Sequence, residues 1–297
     1  MSAPHTGTAE IPGTIVSFPA GAVAEEARVL LVDRQGGETV VVLDRTPFHP
    51  VDHTWPDQPG DRGVLEGEGF RVDVVEAVMA ARSVDGAFAV GVGIPVKRGA
   101  EGWTWLVGHR IGGEAPASLV PGATVRASAD EGLRSALSRG HTACHLASLA
   151  LDAAVADLWR KDPGADALGV ADFEGRANQS SRIRPDGAVD EYRLGKSLRK
   201  AGFDTEGFAA SLAEREERIN ARLAEWVASA AESRIETDGP TIADRRRWVC
   251  ALPDGTASIL CGGTHASSLA EFASIRVGLD LGDPQLLVMT TTAVPSS

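Results

Sequence analysis

Two short stretches decide how this chain is read: His141-Thr142-Ala143-Cys144-His145 and Cys261-Gly262-Gly263-Thr264-His265. Histidines four apart lie on one face of a helix, one turn above each other. The second stretch offers a thiol and an imidazole at the same spacing, around a Gly-Gly pair that lets a loop turn tightly. Imidazole nitrogen and thiolate sulfur both suit Zn²⁺, and four such groups arriving as two pairs make a complete ligand set. A single H-x3-H reads equally well as a packed, hydrogen-bonded pair. Two clusters in a chain with seven His and three Cys favour a metal site of His141, His145, Cys261 and His265. The pattern is not that of a metalloprotease, because Thr142 stands where the catalytic Glu would follow the first His.

Working outward, Asp130 is an N-cap candidate for a helix carrying Leu133 and Leu137. A break at Gly140 then precedes a second helix from His141 to about Trp159, which buries Leu146, Leu149, Ala153 and Leu158. Residues 177–181 read as a polar loop and Arg184-Pro185-Asp186-Gly187 as a turn. Residues 206–232 form an amphipathic helix with Phe208, Leu212, Ile219, Leu223, Trp226 and Ala230 on one face and a Glu214, Arg218, Arg222 charge ladder on the other. Apolar runs at 246–251, 256–261, 273–279 and 285–291, separated by turns, predict an antiparallel sheet.

Upstream the pattern is β. Residues 14–18, 28–33 and 39–44 are strand candidates, the last two separated by the hairpin signal Gln35-Gly36-Gly37. Further strands are expected near 69–75, 87–92 and 103–109, while 74–82 reads as either strand or short helix. Glycine is frequent here, which points to a small glycine-rich β-barrel over 13–118, after a loose tail at 1–12. A Gly, Pro and Ser cluster around 112–122 marks the boundary with a metal-binding α+β domain at 119–297, built of an antiparallel sheet and long helices. The fold class is therefore α+β.

The residues around the clusters carry a resemblance. Arg139-Gly140-His141-Thr142-Ala143-Cys144-His145-Leu146 and Cys261-Gly262-Gly263-Thr264-His265 resemble the two signatures of the alanyl-tRNA synthetase editing domain and its freestanding relatives. This domain is also known as the second additional domain shared by threonyl- and alanyl-tRNA synthetases. The likeness extends upstream through Val42-Leu43-Asp44-Arg45-Thr46-Pro47-Phe48 and Gln58-Pro59-Gly60-Asp61-Arg62-Gly63, and covers about residues 12 to 290. It implies the same barrel-plus-editing-domain architecture. It also implies a zinc-bound, freestanding trans-editing hydrolase that cleaves the ester between an amino acid and the terminal ribose of tRNA. The chain ends at Ser297 without a synthetase catalytic domain, so action on tRNA charged by another enzyme is expected.

The resemblance places the Thr46 hydroxyl against the amino acid, with Gln58 at the end of the same loop; Gly262, Gly263 and Thr264 of the second signature are further substrate-binding candidates. Between Thr46 and Gln58 the chain departs from its family. The usual Pro-Glu-Gly-Gly-Gly-Gln is replaced by Pro50-Val51-Asp52-His53-Thr54-Trp55-Pro56-Asp57-Gln58. Without the glycines, backbone cannot approach a ligand as closely. His53, Trp55 and Asp57 are thus expected to reshape the pocket, with His53 an extra base. The amino acid is open between Ser, Gly or Ala and a threonine-like residue, including fluorothreonine.

Composition sets the remaining bounds. Apolar and charged fractions are those of a globular protein, and no signal peptide or membrane-spanning run is visible, so a cytoplasmic protein is expected. Cys144 and Cys250 read as reduced, buried thiols. A net charge of −12 argues against tight non-specific nucleic-acid binding, but not against brief capture of an acceptor end. Arg193, Lys196, Arg199 and Lys200 form the densest basic patch, and Arg245-Arg246-Arg247 a second. Each reads as a solvated face or as a contact for tRNA phosphates. No membrane or DNA partner is expected, and the oligomeric state is open between monomer and homodimer.

Two other readings remain. The first is a metal-dependent hydrolase of a small metabolite. The second is a non-enzymatic, zinc-stabilised binding protein, since four protein ligands close a zinc site and three leave a position for Lewis-acid chemistry.

Overall fold

The computed structural model describes residues 11–35 and 37–296. Most of the expected tail at 1–12, and Gly36 of the hairpin signal, lie outside the described residues. The chain divides into two compact units, each described by itself below. The first runs to Glu131 and includes residues 237–245; the second comprises 132–236 and 246–297.

The first unit contains strands β1 (Ile15–Val16), β2 (Ala24–Gln35), β3 (Glu38–Leu43), β4 (Arg45–Thr46), β5 (Gly63–Gly67), β6 (Phe70–Ser83), β7 (Phe88–Val90), β8 (Trp103–Ile111) and β9 (Thr124–Ala129). Seven of these form one sheet in the order β5-β9-β2-β3-β8-β6-β7, and β5 also pairs with β6. Pairing therefore runs from β5 through β9, β2, β3, β8 and β6 back to β5. All these ladders are antiparallel. The stretch 74–82 is strand, not helix: Val74, Ala77, Met79 and Ala81 are buried among the same core residues as Val41, Leu43 and Val107. The first unit extends past the expected boundary at residue 118, because β9 pairs between β5 and β2 and so completes this unit's sheet. Residues 237–245 join the unit through Pro240 and Ile242, whose backbones bond Val16 and Thr14.

The second unit is built around α1 (Glu131–Val155). It continues with α2 (Glu174–Ala177), β10 (Asn178–Arg184), β11 (Gly187–Arg193), α3 (Lys196–Ala201), α4 (Thr205–Ala210), α5 (Leu212–Ala228), β12 (Ser233–Thr237), β13 (Arg246–Leu252), β14 (Gly255–Leu260), β15 (Phe272–Asp283) and β16 (Leu286–Pro295). One sheet has the order β10-β11-β16-β15 and another β12-β13-β14. The architecture is α+β with mostly antiparallel sheets.

The expected break at Gly140 is absent: α1 is one helix of 25 residues. The glycine serves close approach instead. A Cβ there would lie 2.2 Å from the Arg184 carbonyl and 2.6 Å from that of Gly187, at the tip of the β10–β11 hairpin. The tip is fixed by Asp186, whose N–H bonds the Ala136 carbonyl at 2.9 Å and whose carboxylate accepts from Arg139 Nε at 2.6 Å. The polar stretch at 178–181 is strand, not loop, with an irregularity in register between Asn178 and Ser180. The helix expected at 206–232 is two helices that meet at Ser211. Its charge ladder does not form. Arg218 pairs with Asp157 and Arg222 with Asp254, acidic groups outside the helix that face those turns.

α5 buries Ile219, Leu223 and Trp226 and covers the edge strand β15. Asn220 accepts from Val277 N at 2.8 Å and donates to Val277 O at 3.0 Å, while Glu216 accepts from Leu279 N at 2.7 Å. Backbone groups that an edge strand leaves unpaired are thus satisfied by helix side chains. Among the described residues no helix is long and apolar enough to cross a membrane.

Candidate metal centre

The second unit brings together all four residues of the two signatures. His141 and His145 project from successive turns of α1, and Cys261 and His265 come from the loop after β14. Their ligand atoms lie within 4.8 Å of one another. Cys261 Sγ is 3.4 Å from His141 Nε2 and 3.2 Å from His265 Nε2. Ligands of a tetrahedral zinc ion, at bond lengths of about 2.0–2.3 Å, stand about 3.3–3.8 Å apart. The two Cys261 distances are close to that range, and the widest pairs, up to 4.8 Å, would draw in by about 1 Å on binding such an ion.

The electrostatics suit a metal as well. Burial depresses His141 to about 3, and burial, with the neighbouring His141, holds His145 well below the usual imidazole range. Both rings are therefore neutral and keep a lone pair for ligation. His145 Nε2 is buried and has no hydrogen-bond partner. An orphaned imidazole nitrogen beside a thiol and two more imidazoles is what a metal site looks like before the metal is counted.

Residues the sequence did not single out hold this geometry. Thr142 Oγ1 lies 3.2 Å from His265 Nδ1 and accepts from Ala266 N at 3.0 Å. Ser138, one turn earlier, donates to Thr264 Oγ1 at 2.8 Å. Two hydroxyls four residues apart on α1 thus pin the loop that carries Cys261 and His265. Gly263 N points at Cys261 Sγ at 3.4 Å, and Gly262 lies beside the Arg246 guanidinium. Ser233 fastens the loop further on, through its N–H to Ser267 O and its hydroxyl to Ala266 O. The buried Trp248 ring lies 5.3 Å from His145 and 5.6 Å from His265, tilted against both. The S-x3-T spacing of Ser138 and Thr142 was the available signal. It lies beside the H-x3-H face, but hydroxyls at that spacing are common.

The chain is similar to alanine–tRNA ligases. That of Trichormus variabilis is 25% identical over 289 residues, covering 93% of this chain and 25% of the relative. That of Nostoc sp. is 24% identical over the same length and the same shares. That of Acetivibrio thermocellus is 30% identical over 129 residues, 43% of this chain and 12% of the relative. The chain thus spans a quarter or less of the length of these relatives. No family model matches it.

The residues expected to touch the amino acid divide between the units: Gly262, Gly263 and Thr264 belong to the metal loop, the others to the first unit. Thr46 is fully buried, and its hydroxyl is 2.8 Å from His109 Nε2. His109 Nδ1 faces the Val41 carbonyl at 2.9 Å, and burial holds this imidazole at about 4. The neutral ring must donate from Nδ1, so Nε2 accepts and Thr46 donates. Thr46 Oγ1 also accepts from Phe48 N at 3.2 Å, and thereby holds the turn that leads into the rebuilt loop.

That loop is internally braced. Asp52 accepts from Thr54 N, Thr54 Oγ1 and Trp55 N, and pairs with Arg98 at 2.6 Å. Burial pushes the Asp52 carboxyl up, but the Thr54 bonds and Arg98 outweigh it and leave it below the usual range. The His53 ring stacks on Trp105 with centroids 5.6 Å apart, and both its nitrogens are buried without a hydrogen-bond partner. Burial lowers its pKa. Burial raises Asp57 to about 6, Gln58 is fully buried, and Trp55 is exposed. Of the basic candidates, Arg193, Lys196, Arg199, Lys200 and Arg245 are exposed and Arg247 is half-buried. Arg246 is buried against the metal loop, which removes it from any surface contact.

Proposed function

We propose that this chain is a zinc-bound aminoacyl-tRNA deacylase that acts in trans on tRNA charged by another enzyme. The observation that carries this reading is the His141, His145, Cys261, His265 cluster with its orphaned His145 Nε2, in a chain similar to alanine–tRNA ligases over 93% of its length. Zinc bound there would supply Lewis-acid chemistry toward an ester carbonyl or a water. The chain's own residues do the positioning. With His265 in the Nδ1–H tautomer, Thr142 Oγ1 accepts a hydrogen bond from Nδ1 and so leaves Nε2 presented to the cluster. Ser138 and Ser233 hold the loop so that the Gly262 and Gly263 backbone and Thr264 keep a fixed place beside it.

Selectivity for the amino acid falls, in this reading, to His53, Trp55 and Asp57, with Thr46 and Gln58 as positioning residues. The rebuilt loop suits a threonine-like amino acid, including a fluorinated one, as well as Ser, Gly or Ala. The proposed N-terminal barrel of that architecture is supported by the ring of pairings in the first unit. The exposed Arg193, Lys196, Arg199, Lys200 and Arg245, with the half-buried Arg247, are the proposed contacts for tRNA phosphates, and the cytoplasm the proposed location. A zinc-stabilised binding protein is the second reading, favoured by the closeness of all four donor atoms, which suits a closed site. Purified seryl-, glycyl-, alanyl-, threonyl- and threonine-analogue-charged tRNAs, assayed side by side, separate the two. Release from one or more supports the deacylase, and release from none supports the binding protein.

A further inference from the structure

The second unit contains a cleft of about 900 Å³ whose walls include Arg176, Arg193, Lys196 and Arg199. They come from α2, the end of β11 and the first turns of α3, so three elements converge their cations on one hollow. Arg176 Nε donates to the Pro163 carbonyl at 2.8 Å and Arg199 to the Leu194 carbonyl at 3.0 Å. These acceptors are neutral, so they fix the guanidiniums without cancelling their charge. Among the described residues none of the four cations meets a carboxylate. Elsewhere in the same unit Arg139, Arg160, Arg215, Arg222 and Arg234 are each paired with one.

In a chain of net charge −12, four uncompensated cations facing one cleft are a selective concentration of positive potential. Glu206 is the acidic side chain on the walls. No aromatic ring lines the cleft, so a free nucleotide finds no stacking platform there. Fixed guanidiniums suit phosphate oxygens, and contacts to phosphate need no base readout.

We infer that this cleft binds the phosphodiester backbone of RNA, and, resting on the deacylase reading, that of the tRNA substrate. It adds Arg176 to the residues the sequence suggested and joins it to Arg193, Lys196 and Arg199 as one site.

The test is binding of uncharged tRNA to the full chain by fluorescence anisotropy, between 50 and 200 mM salt. Four phosphate contacts predict a log–log salt slope of about −3, or roughly a sixtyfold loss of affinity over that range. Arg193→Gln and Lys196→Gln should each reduce the slope by about 1, and the double variant should lose only about fourfold. Arg234→Gln, which removes a cation already paired with Glu236, should keep the wild-type slope. A wild-type slope in the double variant overturns the inference, as does no tRNA binding by the wild type. Equal competition by inorganic phosphate or a mononucleotide overturns it too, because the cleft would then be a small-anion site. The deacylase reading fails separately: cleft-dependent tRNA binding with no ester release from any charged tRNA contradicts that reading and leaves the cleft standing.

Discussion

Thr142 Oγ1 stands 3.2 Å from Nδ1 of His265, 123 residues along the chain, and takes the N–H of Ala266 at 3.0 Å. One hydroxyl on α1 thereby sets the ring orientation of an imidazole on the opposite loop. Thr142→Val keeps the shape and removes both bonds. Zinc affinity should fall about 10- to 100-fold, the usual cost of losing a partner that orients a metal-binding imidazole. Competition against a chromophoric chelator measures this, and unchanged affinity would show that His265 needs no such support.

Gly140→Ala pits two effects against each other. Alanine favours a helix over glycine by about 1 kcal/mol. The added carbon would stand 2.2 Å from the Arg184 carbonyl and 2.6 Å from Gly187 O, which are backbone atoms that a rotamer change cannot relieve. The clash should win, with a net destabilisation of about 1–3 kcal/mol. A urea titration showing a gain would mean that the hairpin tip moves freely.

Thr46→Val leaves His109 Nε2 and Phe48 N without their hydroxyl partner inside a buried core. A loss of about 1–3 kcal/mol of stability is expected. Because Thr46 supports the turn into the rebuilt loop, discrimination among amino acids should change more than the turnover of the best one. Unchanged selectivity on the panel of charged tRNAs would remove Thr46 from the selectivity machinery.

Asp152 is 1% exposed on α1, and burial, followed by the nearby Glu174, Asp166 and Asp172 carboxylates, raises it to about 9 although it accepts from Phe173 N and Glu174 N. A raised folded-state pKa favours the protonated form. Its contribution to stability is complete below the unfolded value near 4 and is lost as pH rises through about 9. Asp152→Asn keeps an acceptor for both N–H groups and cannot ionise. Its stability relative to wild type should therefore increase as pH rises from 6 to 9. A difference that stays flat in urea midpoints across that range would show that Asp152 ionises freely.

The clustering of His141, His145, Cys261 and His265 was legible because their spacing is a property of the helix and the loop themselves: i and i+4 on one face, Cys and His around a Gly-Gly turn. Their supports were not. Thr142 meets Ala266, and Ser138 meets Thr264, only once the chain has folded back across more than a hundred residues. Gly140 departs from its local signal for a related reason. Local propensity marks glycine as a helix break, whereas here the hairpin tip requires it within a continuous helix. The 178–181 stretch looked like loop because its side chains are polar. Its strand character comes from β11 alongside. Arg246 looked like surface charge in a run of three and is buried, because β13 alternates its side chains between two faces.

The most direct test of the account measures zinc content and ester release together, on the best-cleaved charged tRNA, in wild type and His141→Ala. The account predicts about one zinc per wild-type chain, and joint loss of metal and deacylation in the variant. Full deacylation by a zinc-free His141→Ala protein would contradict it.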